Sequence, residues 1–338
     1  MSSIKLKKSS VPSKVPTTGD LDYGELAINY ADGYLYYKDS ANNINKFIDE
    51  NGGYVVEAPT DGAIYGRQSS AWVNANPLGS EPNGFPDTSE FTLSWVNGTR
   101  TLTITPTATD FSFWSDGKKY TKTGVQTHII PDTEGPHFIY YDETGTLTEA
   151  NTFDIQIISR YCFVSEVYWD ATNNEAVPDP FVETHGLMPS TTHIYLHNTQ
   201  GAKYEEGLIT TLAATVGSTG SLDSHAQFTV TSGTIWDEDI EHSIAAHTQT
   251  ANIPVLYRDG SNWRMDDSGS FVVLKGTNRA YFNEDSGGGV WVRTEVGSNN
   301  DYVLSHLFAA GTINDAGNLF LVMGQNEYGT TSDAERGR

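Results

Sequence analysis

What most constrains the fold of this chain is a period-two alternation of apolar and polar residues, in short runs closed by turn dipeptides, with almost no helical periodicity. Phe91-Thr92-Leu93-Ser94-Trp95 and Thr101-Leu102-Thr103-Ile104-Thr105 alternate on either side of Asn97-Gly98, the pattern of a β-hairpin. Phe111 to Tyr120 adds an aromatic run around Asp116-Gly117, and His137-Phe138-Ile139-Tyr140-Tyr141 returns through Asp142 to Gly145 into Thr146-Leu147-Thr148. Phe153 to Trp169 is almost continuously apolar, which predicts a strand or strand pair buried on both faces. Val272-Val273-Leu274, Ala280-Tyr281-Phe282, Val290-Trp291-Val292, Tyr302 to Ala309 and Leu319 to Met323 extend the series. With 32 glycines and 12% aromatic residues between such strands, the expectation is an all-β chain built on a β-sandwich-type domain.

The first fifty residues read differently. Lys5, Lys7, Lys8 and Lys14 alternate with serine, valine and two prolines, Pro12 and Pro16; proline fixes φ and bars a helix, so an extended arm is expected. Gly24 to Asn29 and Tyr34 to Lys38 then flank Asp32-Gly33, which predicts a second hairpin. A lone hairpin is marginal in water, so its face of Leu26, Ile28, Leu35 and Tyr37 needs a partner surface.

Punctuation divides the rest. Residues 1–50 form an arm and hairpin anchor, and residues 51–87 a small hairpin unit (to Trp72) and a Pro/Gly-rich linker (Asn74 to Asp87). Residues 88–338 form the large β domain, with a Gly/Ser/Thr stretch at 215–221 as a candidate internal boundary.

The opening run IKLKKSSVPSKVPTTGDLDYGELAINYADGYLYYKD resembles the GELAIN-type N-terminal segment of bacteriophage tail-fibre and related virion appendage proteins, and more distantly that of phage tropism determinants. Glu57-Ala58-Pro59-Thr60-Asp61-Gly62 leading to Tyr65-Gly66-Arg67 and Trp72 is similar to a unit recurring in the same proteins. Phrases of the large domain, among them FTLSWVNGTRTLTITPT and HGLMPSTTHIYLHNTQGAKY, are similar to a β-rich module of phage fibre and baseplate proteins, for which no catalytic residues carry over. The resemblance implies a virion structural protein, assembled in a host cytoplasm as a homotrimer. It anchors through Lys5, Lys7, Lys8, Lys14, Leu26, Ile28, Leu35 and Tyr37 to tail, neck or capsid proteins. Fibres of this group often continue into long repetitive shafts, and this chain carries none.

Charge and composition narrow the partners. Lys+Arg number 20 against 43 Asp+Glu, a formal net charge of −23, which repels nucleic-acid phosphates and anionic membrane surfaces alike. No window reaches the apolar length of a membrane span, and the N-terminus lacks the apolar core of a signal peptide. The single cysteine, Cys162, excludes an internal disulfide and, within Ile155 to Tyr168, reads as a buried structural thiol.

Little in the sequence signals chemistry, and no catalytic residue, cofactor or metal is expected. His185, His193 and His197 lie close together with Glu183 beside them. The β-branched and aromatic content of His193-Ile194-Tyr195-Leu196-His197 predicts a strand, which would hold those two rings about 13 Å apart, too far for one metal ion. His225, His242 and His247 give no geometry. Asp237-Glu238-Asp239 with Glu241 is the densest acidic cluster; a glycosidase needs two carboxyls about 5–10 Å apart, and alternation along a strand leaves only Asp237 and Asp239 on a shared face, so a solvated loop or a calcium-tolerant acidic patch is expected. There is no nucleophile-elbow, phosphate-loop or Cys/His zinc pattern. Trp236 and Trp263, beside turns, are the candidate receptor contacts for a host glycan, stacking on sugar faces. Three roles therefore stand: virion appendage or decoration protein, glycan-binding module, and polysaccharide depolymerase.

Overall fold

The computed structural model describes residues 6–47, 65–68, 71–74, 82–214, 222–277, 279–314 and 318–337. Lys5, most of the 51–72 unit, residues 75–81 of the linker and the 215–221 stretch therefore lie outside the described residues. The chain divides into two compact units, Met1–Pro59 and Thr60–Arg338. The fold is all-β, with three short helices, α1 (Gln156–Ser159), α2 (Ser190–Thr199) and α3 (Thr331–Arg336), among the described residues.

The N-terminal unit is a four-stranded sheet in the order β1 (Lys7–Ser9), β2 (Leu26–Asn29), β3 (Tyr34–Lys38), β4 (Ile44–Lys46). The expected hairpin is present, with Ile28 opposite Leu35 and Gly33 at φ +75°. The lead, expected as an extended arm, instead becomes an edge strand, since β1 pairs in parallel with β2 and places Lys8 opposite Ile28. Residues 10–25 form the crossover that a parallel pair requires. Asn29 fixes it: its buried side-chain amide donates to the carbonyls of Val11 (2.9 Å) and Lys14 (3.0 Å). Lys38 Nζ donates to the Thr18 carbonyl at 2.7 Å, and Lys7 pairs with Glu25 at 2.7 Å.

Within the larger unit, Phe91–Val96 and Thr101–Pro106 pair as expected. Their connection runs over four residues, and the left-handed backbone falls on Arg100 (φ +53°) and not on Gly98. Asp116-Gly117 is the two-residue turn that its sequence predicts, with φ of +50° and +74° between Ser115 and Lys118. These hairpins, with Gly135–Tyr141 and Cys162–Asp170, enclose an aromatic core in which Phe113 stacks on Tyr141 at 3.9 Å and Trp95 meets Trp169 edge-on. Cys162 is fully buried there, as expected. Phe85, at 1% exposed, belongs to the same core; the C-terminal part of the expected linker is thus built into the domain, because an aromatic side chain gains more in the core than the chain loses by ordering.

A second core gathers Phe228, Val230, Ile235, Val255, Leu321 and Met323. Its four-stranded sheet runs Asn262–Asp266, Val255–Asp259, Leu319–Tyr328, Tyr302–Ala309, with the middle pair parallel. A bridging cluster of Val177, Leu256 and Phe320, with Tyr168 and Trp263 against it, ties this sheet to the first core. Arg264 reinforces the bridge, 2.7 Å from Glu134 and 3.2 Å from the fully buried Asp170.

Three strand expectations fail. The apolar run from Phe153 opens into α1, with Asp154 accepting from the Gln156 N–H at 2.9 Å, and only Cys162–Asp170 is strand. Val272 to Leu274 is irregular, with Val272 and Leu274 laid against the second core. His193 to His197, expected as strand, lies in α2.

Candidate functional site

Two features stand apart from the packing: a cluster of histidines and carboxylates in the large unit, and one face of the N-terminal sheet.

The cluster forms where three segments distant in sequence converge. The first is residues 183–186, whose backbone is pinned by β-type contacts: Phe85 N–H donates to the His185 carbonyl (2.9 Å), and Leu187 N–H to that of Phe85 (2.9 Å). Gly84 makes this approach feasible, because a Cβ there would sit 2.6 Å from the Gly186 carbonyl oxygen at a φ of +103°. The second is α2. Pro189 followed by Ser190 and two threonines is a helix-start signal, and one helical turn brings His193 and His197 to one side. Tertiary context overrides the β propensity of Ile194 and Tyr195.

The third segment is the hairpin between Gly233–Asp237 and Ile240–Ile244. Asp237 pairs with Ile240, leaving Glu238 and Asp239 as a two-residue tip. Such tips favour Asn-Gly because the backbone turns left-handed; here Glu238 adopts φ +54°. The residue as a whole is half-exposed, while its side chain is 3% exposed and turned in toward α2. The expected solvated acidic loop is therefore a buried one on this side.

Asp239 Oδ1 lies 2.7 Å from His185 Nδ1, and its Oδ2 accepts from the Gly186 N–H at 2.8 Å. His185 Nε2 is 3.4 Å from Glu183. Glu238 Oε1 lies 2.8 Å from His197 Nδ1, and Oε2 3.5 Å from His193 Nε2. The rings of His185 and His193 are 4.5 Å apart. Burial pulls the His185 pKa down, but Asp239 and Glu183 outweigh it and lift it to about 10. Burial, then the neighbouring charge of His185, drops His193 to about 3. Burial raises Glu238 and Glu183, whereas Asp239 is lowered because His185 outweighs its burial. His193 Nε2 and Glu238 Oε2 make no hydrogen bond within normal limits and face each other at 3.5 Å, and His193 Nδ1 has only a marginal contact with the Ile158 backbone, an expensive state for buried polar atoms. One ligand atom each from His185, His193 and Glu238 falls within 4.8 Å of the others. Sequence reasoning missed this grouping because it placed His193 and His197 on a strand; the Pro189-Ser190 helix start was the readable signal.

On the N-terminal sheet, Ala27, Tyr36 and Leu21 are buried on the crossover side. Leu26, Ile28, Leu35 and Tyr37 share the opposite face, all half-exposed, and Phe47 (63% exposed) packs its ring edge-on to Tyr37 at 6.1 Å. Lys8 joins this face through its pairing with Ile28, while Lys7 is paired with Glu25 and Lys14 is exposed on the crossover. Trp236 and Trp263 are both half-buried; Trp263 packs in the bridging cluster, and its backbone N–H donates to Tyr168 Oη at 3.1 Å.

No helix of the described residues is long and apolar enough to cross a membrane. No protein-family model matches this sequence, and neither a curated protein nor a solved structure is significantly similar to it.

Proposed function

We propose that this chain is a bacteriophage virion structural protein, a tail-fibre or related appendage component that docks through its N-terminal sheet and carries a β domain for host attachment. The observation that carries the reading is the one-sided N-terminal unit. A sheet of four short strands buries Leu21, Ala27 and Tyr36 on one side and leaves Leu26, Ile28, Leu35 and Tyr37 only half-buried on the other, with Phe47 exposed beside them. A face of that kind on so small a unit marks an interaction surface, and the GELAIN-type sequence that builds it is the one resembling phage anchoring segments. Lys8, carried on that face opposite Ile28, suits an acidic partner surface. The partners are other virion proteins of tail, neck or capsid together with two further copies of this chain, since strand edges invite pairing and three-fold assembly covers them.

The test is assembly. Particles produced with a chain lacking residues 1–47 lose the protein, while the truncated chain keeps its far-ultraviolet β signal. Particles that retain the truncated protein at full occupancy would exclude the docking role. Light scattering on the full chain gives three times the 37.0 kDa chain mass, and a monomer would remove the trimer.

A further inference from the structure

We propose that His185, His193 and Glu238 bind one first-row divalent metal ion, with Zn²⁺ the best fit, and that the ion locks three remote segments of the large unit together. Two imidazoles and one carboxylate are a borderline donor set that suits Zn²⁺. In a tetrahedral Zn²⁺ site the ligand atoms stand roughly 3.3 Å apart, and His193 Nε2 and Glu238 Oε2 already stand 3.5 Å apart. His193 Nε2 and Glu238 Oε2 are buried and make no hydrogen bond within normal limits. Since buried polar groups of this kind are otherwise nearly always satisfied, their convergence points to a ligand.

The surroundings match what a metal centre requires. Ligating groups are oriented by outer hydrogen-bond partners, and here Asp239 holds the His185 ring at 2.7 Å while His197 holds the other oxygen of Glu238 at 2.8 Å. Asp239 is itself fixed by the Gly186 N–H. The left-handed backbone of Glu238 is the conformation that turns its carboxylate inward, and an L residue holds it only at a cost. A cleft of about 430 Å³ has Asp239, the partner of His185, in its wall beside Thr184, Gly186 and Glu241. The ion joins the 183–186 segment, α2 and the 237–240 hairpin, which no disulfide can do in a chain with one cysteine.

The experiment uses the full-length chain without a purification tag, stripped with chelator and titrated with Co²⁺ and Zn²⁺. The expected result is one Co²⁺ per chain with the visible bands of a four-coordinate site, displaced by Zn²⁺, and a Zn²⁺-dependent rise in melting temperature. His193→Gln and Glu238→Gln each weaken binding by at least about 30-fold, and His197→Gln, an outer partner, by about 10-fold. His225→Gln, on a separate short turn, binds as the parent does. A folded stripped chain that takes up no stoichiometric Co²⁺ overturns the proposal, as does parental affinity in either His193→Gln or Glu238→Gln. If a variant fails to fold, the parent chain decides alone: Zn²⁺ must shift the imidazole nitrogen resonances of His185 and His193, and unshifted resonances overturn the site.

Discussion

The large unit holds two histidine pairs, each with a glutamate between them, and they behave in opposite ways. In the first, His128 on strand Gln126–Ile129 and His137 on Gly135–Tyr141 both reach Glu149 on Leu147–Ala150, at 3.4 and 3.3 Å. His137 Nε2 also donates to the Thr133 carbonyl at 2.9 Å. Burial pulls His137 down, but Glu149 and that carbonyl more than offset it, so its pKa is raised. Glu149, opposed by burial but held by both rings, falls to about 2. In the second, His193 is as deeply buried, and its pKa moves the other way for want of a hydrogen-bonding carboxylate. Strand-borne groups at neighbouring register close on one another, whereas a helix, a loop and a hairpin tip converge from three directions and leave lone pairs facing a common point. The first cluster is a charge-paired network in which His137 Nδ1 alone lacks a hydrogen bond and lies 3.3 Å from Glu149; the second leaves three such atoms, both His193 nitrogens and Glu238 Oε2, and is arranged for something to be held between its members.

The sharpest way to break that contrast is to move one scaffold only. Gly84→Ala places a Cβ 2.6 and 2.8 Å from the carbonyl oxygens of Gly186 and His185, in a backbone region that L residues rarely adopt. The backbone on both sides is pinned by hydrogen bonds and cannot yield cheaply. The variant loses on the order of 3 kcal/mol or more of stability in urea unfolding. His185 and His193 resonances shift while those of His128 and His137 stay put, and equal shifts in both pairs would show the clusters to be coupled.

The two clusters were also unequally legible. The strands of the first were readable because alternation and turn chemistry agree: Asp116-Gly117 and Asp142 to Gly145 both turn where the sequence says, with Gly145 at φ +74°. Long-range partners were not readable, since nothing local says that Glu149 meets His137. The second cluster was lost at α2, where Ile194 and Tyr195 argue for strand against the Pro189-Ser190 helix start, and contact with α1 decides for helix. Glu238 was misread for a related reason. Acidic residues at a turn are usually solvated, and its inward rotation depends on a left-handed φ that the sequence Asp237-Glu238-Asp239 does not announce. The N-terminal crossover is the third case, because the parallel pairing of β1 with β2 joins residues as distant as Lys8 and Ile28, and Pro12 and Pro16 say only that no helix intervenes.

Removing Glu149 sharpens the contrast at the next level down. Its folded pKa lies below the unfolded one, so its contribution is present above about pH 4.5 and is lost as pH falls toward 2. The folded pKa of His137 is raised, so its contribution is complete below about pH 6.5 and fades as pH rises through the folded value. The stability difference between the parent and Glu149→Gln is therefore bell-shaped, with its plateau between those limits. Its height is on the order of 2 kcal/mol after allowance for partial exposure. Urea unfolding at half-unit pH steps reads it directly, and a flat difference would mean that the network contributes packing and no charge pairing.

The smallest effect is the one that separates a charge-paired network from a waiting one. Glu238→Gly removes a left-handed L residue and an unpartnered carboxylate oxygen, at the expense of the hydrogen bond with His197. Glycine adopts that φ without the steric penalty, which is worth about 1 kcal/mol, and the bond lost to a half-exposed histidine is worth less than that. The metal-free variant should thus be as stable as the parent or up to about 1 kcal/mol more stable. Removing Glu149 from the first cluster has no such offset, because it would leave both His128 and His137 without their carboxylate. Chelator-stripped parent and variant compared by urea unfolding give the sign. A loss of more than about 1 kcal/mol would show that Glu238 stabilises the fold unaided, and the two clusters would then be of one kind.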